Sequence, residues 1–186
     1  MSNRLVEMGA RLWLPILAMV VVVVGSNIAV QHPINDWLTW GALTYPVSFL
    51  VTDLTNRRYG PARARSVVYV GFAIAVVLSI AVATPRIAIA SGSAFLAAQL
   101  LDVTVFHRLR RLTWWQAPLL SSLLASALDT TLFFSLAFAG TGLPWLTWGV
   151  GDFGVKLAMA LALLIPFRAM MQVVQNQPSG GGTAAV

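Results

Sequence analysis

The chain contains no cysteine. Disulfides, thiol nucleophiles and cysteine-ligated metals are thereby excluded. Charge is scarce as well. Asp, Glu, Lys and Arg make up 10% of 186 residues, against about 25% in soluble domains. The two histidines, His32 and His107, lie far apart in sequence and have no metal-ligand spacing. No HExxH, phosphate loop or Ser/His pairing is present. No metal, cofactor or enzymatic chemistry is therefore expected. What the chain does have is apolar surface: 58% of its residues are hydrophobic and its mean hydropathy is +0.79. Soluble domains are about 45–50% apolar, so this composition defines an integral membrane protein. The net charge of +6 and pI near 11.1 would suggest nucleic acid in a soluble chain. Here the basic residues cluster between apolar runs, where they fix orientation, and no nucleic-acid partner is expected.

Six apolar segments are legible. They run from about Leu12 to Val30, Trp37 to Leu54, Ser66 to Ala83, Ile87 to Phe106, Pro118 to Ala139 and Gly149 to Met171. At 1.5 Å rise per residue, about 20 residues cross a hydrocarbon core of about 30 Å. The first segment is long enough to stay as a helix, and no small-residue cleavage site follows it at the usual distance. The expected fold is all-α: a polytopic membrane protein with six transmembrane helices. Residues 1–174 would form the transmembrane domain. The tail 175–186, rich in Gly, Ala and polar residues, would be disordered. Arg4, Arg11, Arg57, Arg58, Arg63, Arg65, Arg108, Arg110, Arg111 and Arg168 all fall on one side of such a chain, with only Arg86 opposite. The positive-inside rule then predicts both termini to be cytoplasmic.

Four of the six acidic residues, Asp53, Asp102, Asp129 and Asp152, lie within or at the ends of apolar segments. A central carboxylate costs about 2.5–3.5 kcal/mol on insertion scales, which marks it as functional by default. Asp129-Thr130 is the deepest acidic position, with Lys156 as its alternative structural counter-charge. Asp152 and Lys156 are four residues apart and share a helix face. Asp53 shares a face with Asn56 and with Arg57, so a ligand role and an ion pair with Arg57 are both open. Gln99 and Asp102 point one way and together offer a donor and three acceptors. Asn27 is a weaker candidate, since membrane Asn more often joins helices.

Three stretches carry a resemblance. They are Val51-Thr52-Asp53-Leu54-Thr55-Asn56-Arg57-Arg58-Tyr59-Gly60, then Arg86-Ile87-Ala88-Ile89-Ala90-Ser91 leading to Gln99-Leu100-Leu101-Asp102-Val103-Thr104-Val105-Phe106-His107-Arg108, and Asp129-Thr130, followed by Asp152-Phe153 and Lys156. In order and spacing they resemble the YhhQ-like branch of the VUT (vitamin uptake transporter) family, the queuosine-precursor transporters, from about Asn27 to Met171. The resemblance implies an inner-membrane importer of the 7-deazaguanines preQ0 and preQ1, which feed queuosine in tRNA. Many members carry an acid where this chain has Arg57, which argues against a binding charge there. The substrate would be a small planar base and the surroundings a lipid bilayer. A homodimer, a separate energising partner and a different vitamin or nucleobase ligand are all compatible with the same reading.

An ionised carboxylate accepts both N1–H and the 2-amino group of a deazaguanine. Gln99 or Asn56 supplies a donor to O6. The expected site therefore has Asp129 and Gln99 at its centre, with Asp53, Asn56, Asp102, Thr130, Asp152 and Lys156 close by.

Overall fold

The computed structural model describes residues 2–29, 32–35, 38–82 and 84–176. The side chain of Asn27 and the expected span ends Val30, Trp37 and Ala83 lie outside the described residues. So does the tail from Gln177 onward; the last described helix runs to Asn176.

The described residues form eight helices and one short hairpin. Helix α1 spans Ser2–Ala29, with Pro15 inside it. Strands β1 (Pro33–Asn35) and β2 (Leu38–Thr39) pair antiparallel, with Pro33 opposite Thr39. Then come α2 (Trp40–Thr44), α3 (Val47–Tyr59), α4 (Pro61–Val82), α5 (Pro85–Leu109), α6 (Gln116–Phe138), α7 (Trp145–Ala162) and α8 (Leu164–Asn176). The helix starts follow local chemistry. Thr84 caps α5, its side chain accepting from the Ile87 N–H, and Pro85 takes the first helical position. Gly60 adopts φ +85° between α3 and α4, a conformation that favours glycine, and Pro61 opens α4.

Two expected spans are interrupted. The second is split into α2 and α3 at Tyr45-Pro46, because Pro46 has no N–H to continue the α2 ladder. Its helix also runs past Leu54 to Tyr59. The last span starts earlier, at Trp145, and breaks at Leu163, because Pro166 has no N–H to offer Ala162.

The apolar residues are arranged inside out. Val77, Ile89, Leu146, Val150 and Ile165 are exposed, whereas Ser48, Thr52, Asn56, Gln99 and Asp102 are completely buried. Water favours the opposite pattern; lipid favours this one. Four helical stretches, Pro61–Leu78, Pro85–Leu109, Gln116–Phe138 and Trp145–Gln172, are long and apolar enough to cross a membrane. The described residues are thus those of a helical membrane protein. Met19, Val67, Val68, Phe95 and Val103 form the largest apolar core, between α1, α4 and α5. Gly71 permits the approach of α1 to α4: a Cβ there would fall 2.7 Å from Met19 Cγ.

The two ends of the bundle differ. Arg57 donates to the Arg110 carbonyl (2.7 Å), and the Arg168 guanidinium sits 4.8 Å from the Trp114 ring centroid. This end gathers the C-termini of α3 and α5 and the start of α6. At the other end Arg86 donates to the carbonyls of Leu136 (2.8 Å) and Ala139 (2.6 Å), satisfying the C-terminus of α6.

Candidate functional site

Three polar clusters occupy the interior. The first joins α6, α7 and the α2–α3 turn. Lys156 is four residues, about one turn, from Asp152, and α7 faces α6 where Asp129 and Thr130 emerge. The Lys156 ammonium contacts Asp129 Oδ2 at 2.7 Å and Asp152 Oδ2 at 2.5 Å, and donates to Thr130 Oγ1 at 3.1 Å. Thr130 in turn donates to Asp152 Oδ2 at 2.7 Å. Tyr45 completes the set: its hydroxyl donates to Asp129 Oδ1 at 3.2 Å, and its ring centroid lies 5.7 Å from the Lys156 nitrogen. Lys156 and Asp129 are each 5% exposed. A lone buried ammonium would be costly, and the two carboxylates offset that cost. The cluster still carries one more acid than base.

The second cluster ties α3 to α5. Gln99 donates to Ser48 Oγ at 2.7 Å and accepts from Thr52 Oγ1 at 2.7 Å. Its amide is satisfied by the protein itself. One turn further on, Asn56 donates to the Val103 carbonyl at 2.8 Å.

The third cluster is less satisfied. Asp53 on α3 and Asp102 on α5 lie against one another, with Ser121 of α6 beside both. The Ser121 hydroxyl donates to Asp53 Oδ1 at 3.4 Å. Asp102 is completely buried, yet neither of its carboxylate oxygens has a well-formed hydrogen bond, and the Asn56 carbonyl oxygen has none either. Among the described residues neither acid has an ion-pair partner. Arg57, spaced to meet Asp53, turns to the Arg110 carbonyl instead.

A narrow cleft of about 20 Å³ runs between α3, α6, α7 and α8. Its walls include Phe49, Ser122, Ser126 and Phe167, with Asp53 and Lys156 as its charged members. Pro46 and Leu163, the two helix breaks, also line it. A larger groove of about 400 Å³ lies between α4 and α5, but its lining is apolar apart from Ser93. It offers a polar solute almost nothing to bond. The charged cleft is the candidate site.

The expected site residues therefore separate by role. Asp53 and Lys156 reach the cleft. Asp129, Asp152 and Thr130 hold Lys156 from behind. Asp102 backs Asp53, while Gln99 and Asn56 bond to α3 and α5 partners. Tyr45, Ser48, Thr52 and Ser121 belong to the same networks but are not singled out by their sequence context. Hydroxyls in an apolar helix usually signal only close packing or a bond to the preceding turn.

A lipid-facing exterior around a charged, partly unsatisfied interior is the arrangement of a membrane transport protein. The sequence matches the family described as "Putative vitamin uptake transporter" over residues 39–84 and 78–171, and the chain belongs to that family. It is 36% identical to the "Probable queuosine precursor transporter" of Haemophilus influenzae, over 78% of this chain and 79% of that one. It is 30% identical to the "Queuosine precursor transporter" of Escherichia coli, over 87% and 86% of the two chains. The "Probable queuosine precursor transporter" of Bacillus subtilis is 27% identical, over 74% and 73%. No solved structure matches the chain.

Proposed function

We propose that the protein imports queuosine precursors, the 7-deazaguanine bases preQ0 and preQ1, across the inner membrane for salvage into tRNA. In this reading six spans cross the membrane, α2 and α3 together forming the second, and both termini are cytoplasmic. The observation that carries the proposal is the charged cleft with Asp53 and Lys156 on its walls, in a chain whose relatives bear that transporter name.

The Asp129–Lys156 side suits the base edge. Asp129 lies behind Lys156, and all three ammonium donors are engaged. As the walls part, the base takes over part of that bonding, O6 accepting from Lys156 and the N1–H and 2-amino donors reaching the Asp129 carboxylate. Thr130 and Asp152 hold Lys156 in place. Phe49 and Phe167 offer apolar walls to a flat ring. Gln99 and Asn56 fix α5 against α3, which sets the position of Asp53 and Asp102. Ligand pockets occupy about 300–1,000 Å³, whereas the present cleft holds about one water. The structure is therefore a closed form, and the base enters when the walls part.

The test uses a strain that lacks both its own precursor synthesis and its own transporter. Queuosine in tRNA is measured with precursor supplied at low concentration. The wild-type chain restores queuosine; Asp129→Asn and Lys156→Met, present at normal level, reduce uptake at least tenfold. Normal uptake in both variants would remove the site assignment, and no restoration by the wild-type chain would remove the function. Transport by the purified protein in liposomes separates a self-sufficient carrier from a binding component that needs an energising complex.

A further inference from the structure

Both oxygens of the Asp129 carboxylate are taken. Oδ2 holds the Lys156 ammonium at 2.7 Å, and Oδ1 accepts from the Tyr45 hydroxyl at 3.2 Å. Lys156 keeps a second acid, Asp152, when it lets Asp129 go. Among the described residues the Tyr45 hydroxyl has that one bond. Tyr45 belongs to neither α2 nor α3; it stands at the break between them, just before Pro46, whose missing N–H interrupts the ladder. Its ring packs edge-on against Phe49 of α3, with centroids 6.1 Å apart, and against Phe95 of α5, at 6.2 Å. The same ring has its centroid 5.7 Å from the Lys156 nitrogen.

These contacts have the chemistry of the cargo. A deazaguanine also brings a flat aromatic face and donors for a carboxylate. The difference is that Tyr45 brings one donor and the base brings two. A carboxylate takes a forked pair of donors through both of its oxygens. The base therefore cannot pair fully with Asp129 while the phenol holds Oδ1. The position of Tyr45 suits such an exchange. Pro46 and Phe49, its close neighbours in sequence, line the cleft, as does Lys156. Asp53, another wall residue, lies about two turns further along α3, toward the arginine-rich end. The phenol thus stands at the end of the cleft away from those arginines.

We propose that Tyr45 is the protein's own stand-in for the base: its hydroxyl covers Asp129 Oδ1 in the closed form and yields that oxygen to the cargo, so that Tyr45 sets the affinity of the site. The inference rests on the reading of the chain as a deazaguanine importer with Asp129 as acceptor. Tyr45 acts through Asp129 and is a positioning residue. Asp129 is 5% exposed, so without the hydroxyl its Oδ1 is left buried and unpaired in the closed form. In the bound form the second donor of the base satisfies the same oxygen. Loss of the hydroxyl therefore penalises the closed form alone and strengthens binding. Loss of an ordinary site contact does the reverse.

Binding of preQ0, of preQ1 and of a deazaguanine analogue lacking the 2-amino group is measured calorimetrically on the purified full chain in detergent. Tyr45→Phe keeps the ring and its packing and removes only the hydroxyl. It is expected to bind the two bases at least about fivefold more tightly than the wild type, the worth of one such hydrogen bond. The analogue has a single donor on that edge and settles on the oxygen that Lys156 leaves. Its affinity is expected to rise less than about twofold, because it never needs the oxygen that Tyr45 covers. A smaller gain for the bases, or a loss, would overturn the inference and leave the importer standing. An equal gain for bases and analogue would overturn it too, by marking a general loosening of the fold. If Tyr45→Phe does not accumulate, Tyr45→Met, whose unbranched side chain adapts to the same space without a hydroxyl, carries the same comparison. Binding of neither base by the wild type would sink the importer reading itself, together with this inference.

Discussion

Lys156 is the only lysine in the chain, and it holds two aspartates at once. Removing one member of a buried ion network leaves an uncompensated charge, which costs about 3–5 kcal/mol. Lys156→Met leaves Asp129 and Asp152 without a cation and is the most destabilising single change in this cluster. Asp129→Asn costs less, because Asp152 still balances Lys156. The double variant Lys156→Met/Asp129→Asn is more stable than Lys156→Met alone, because one of the two stranded charges is gone. Thermal unfolding of the purified proteins in detergent orders the three. A double variant no more stable than Lys156→Met would show that Asp129 is not part of the same charge balance. The sequence made only part of this legible. The four-residue spacing of Asp152 and Lys156 marks a shared helix face, and that pair is formed. The pairing of Asp129 with Lys156 stood open beside a ligand role, because two helices must dock before either is decided. The same spacing suggested a pair between Asp53 and Arg57, which the Arg110 carbonyl prevents by engaging Arg57 from another helix. Tyr45 carried no signal, since its role depends on how the α2–α3 turn meets α6.

At the scale of elements, the site is framed by interruptions. Pro46 and Leu163 both line the cleft, and each marks a place where a long apolar segment stops being one helix. Hydropathy reports that a segment is apolar but not that its ladder is broken, so both segments read as continuous spans. The prolines were visible in the sequence; what they do was not, because a membrane helix often tolerates proline, as α1 does at Pro15. The break before Pro166 gives a direct test. In Pro166→Ala the restored N–H completes a bond to Ala162, so α7 and α8 join into one stiffer helix. The expected result is a higher melting temperature with a maximal uptake rate at least threefold lower, because the cleft opens less often. A variant with raised stability and unchanged uptake would show that the cleft does not open through this break.

The described residues form an apolar shell around buried acids, with Arg57, Arg110 and Arg168 at one end and Arg86 at the other. The interior chemistry was legible as a set of intramembrane charges, but its division into a Lys156-centred ion network and a separate Asp53–Asp102 pair required the packing of α3, α5, α6 and α7. Orientation depends on the same end-to-end asymmetry. Arg57, Arg110 and Arg168 meet where α3 and α5 end, whereas Arg86 closes the opposite end of α6. Basic loops stay on the cytoplasmic side during insertion. The α5–α6 loop is therefore expected to face the cytoplasm and the α6–α7 loop the outside. Because the chain has no cysteine, a single introduced thiol is an unambiguous reporter. Thr113 lies in the α5–α6 loop and Thr141 in the α6–α7 loop, and both are exposed. Thr141→Cys is expected to react with a membrane-impermeant maleimide in intact cells, and Thr113→Cys only after the membrane is opened. The reverse pattern would invert the protein. Cargo entering from outside would then meet the arginine-rich end first, instead of the end closed by Arg86.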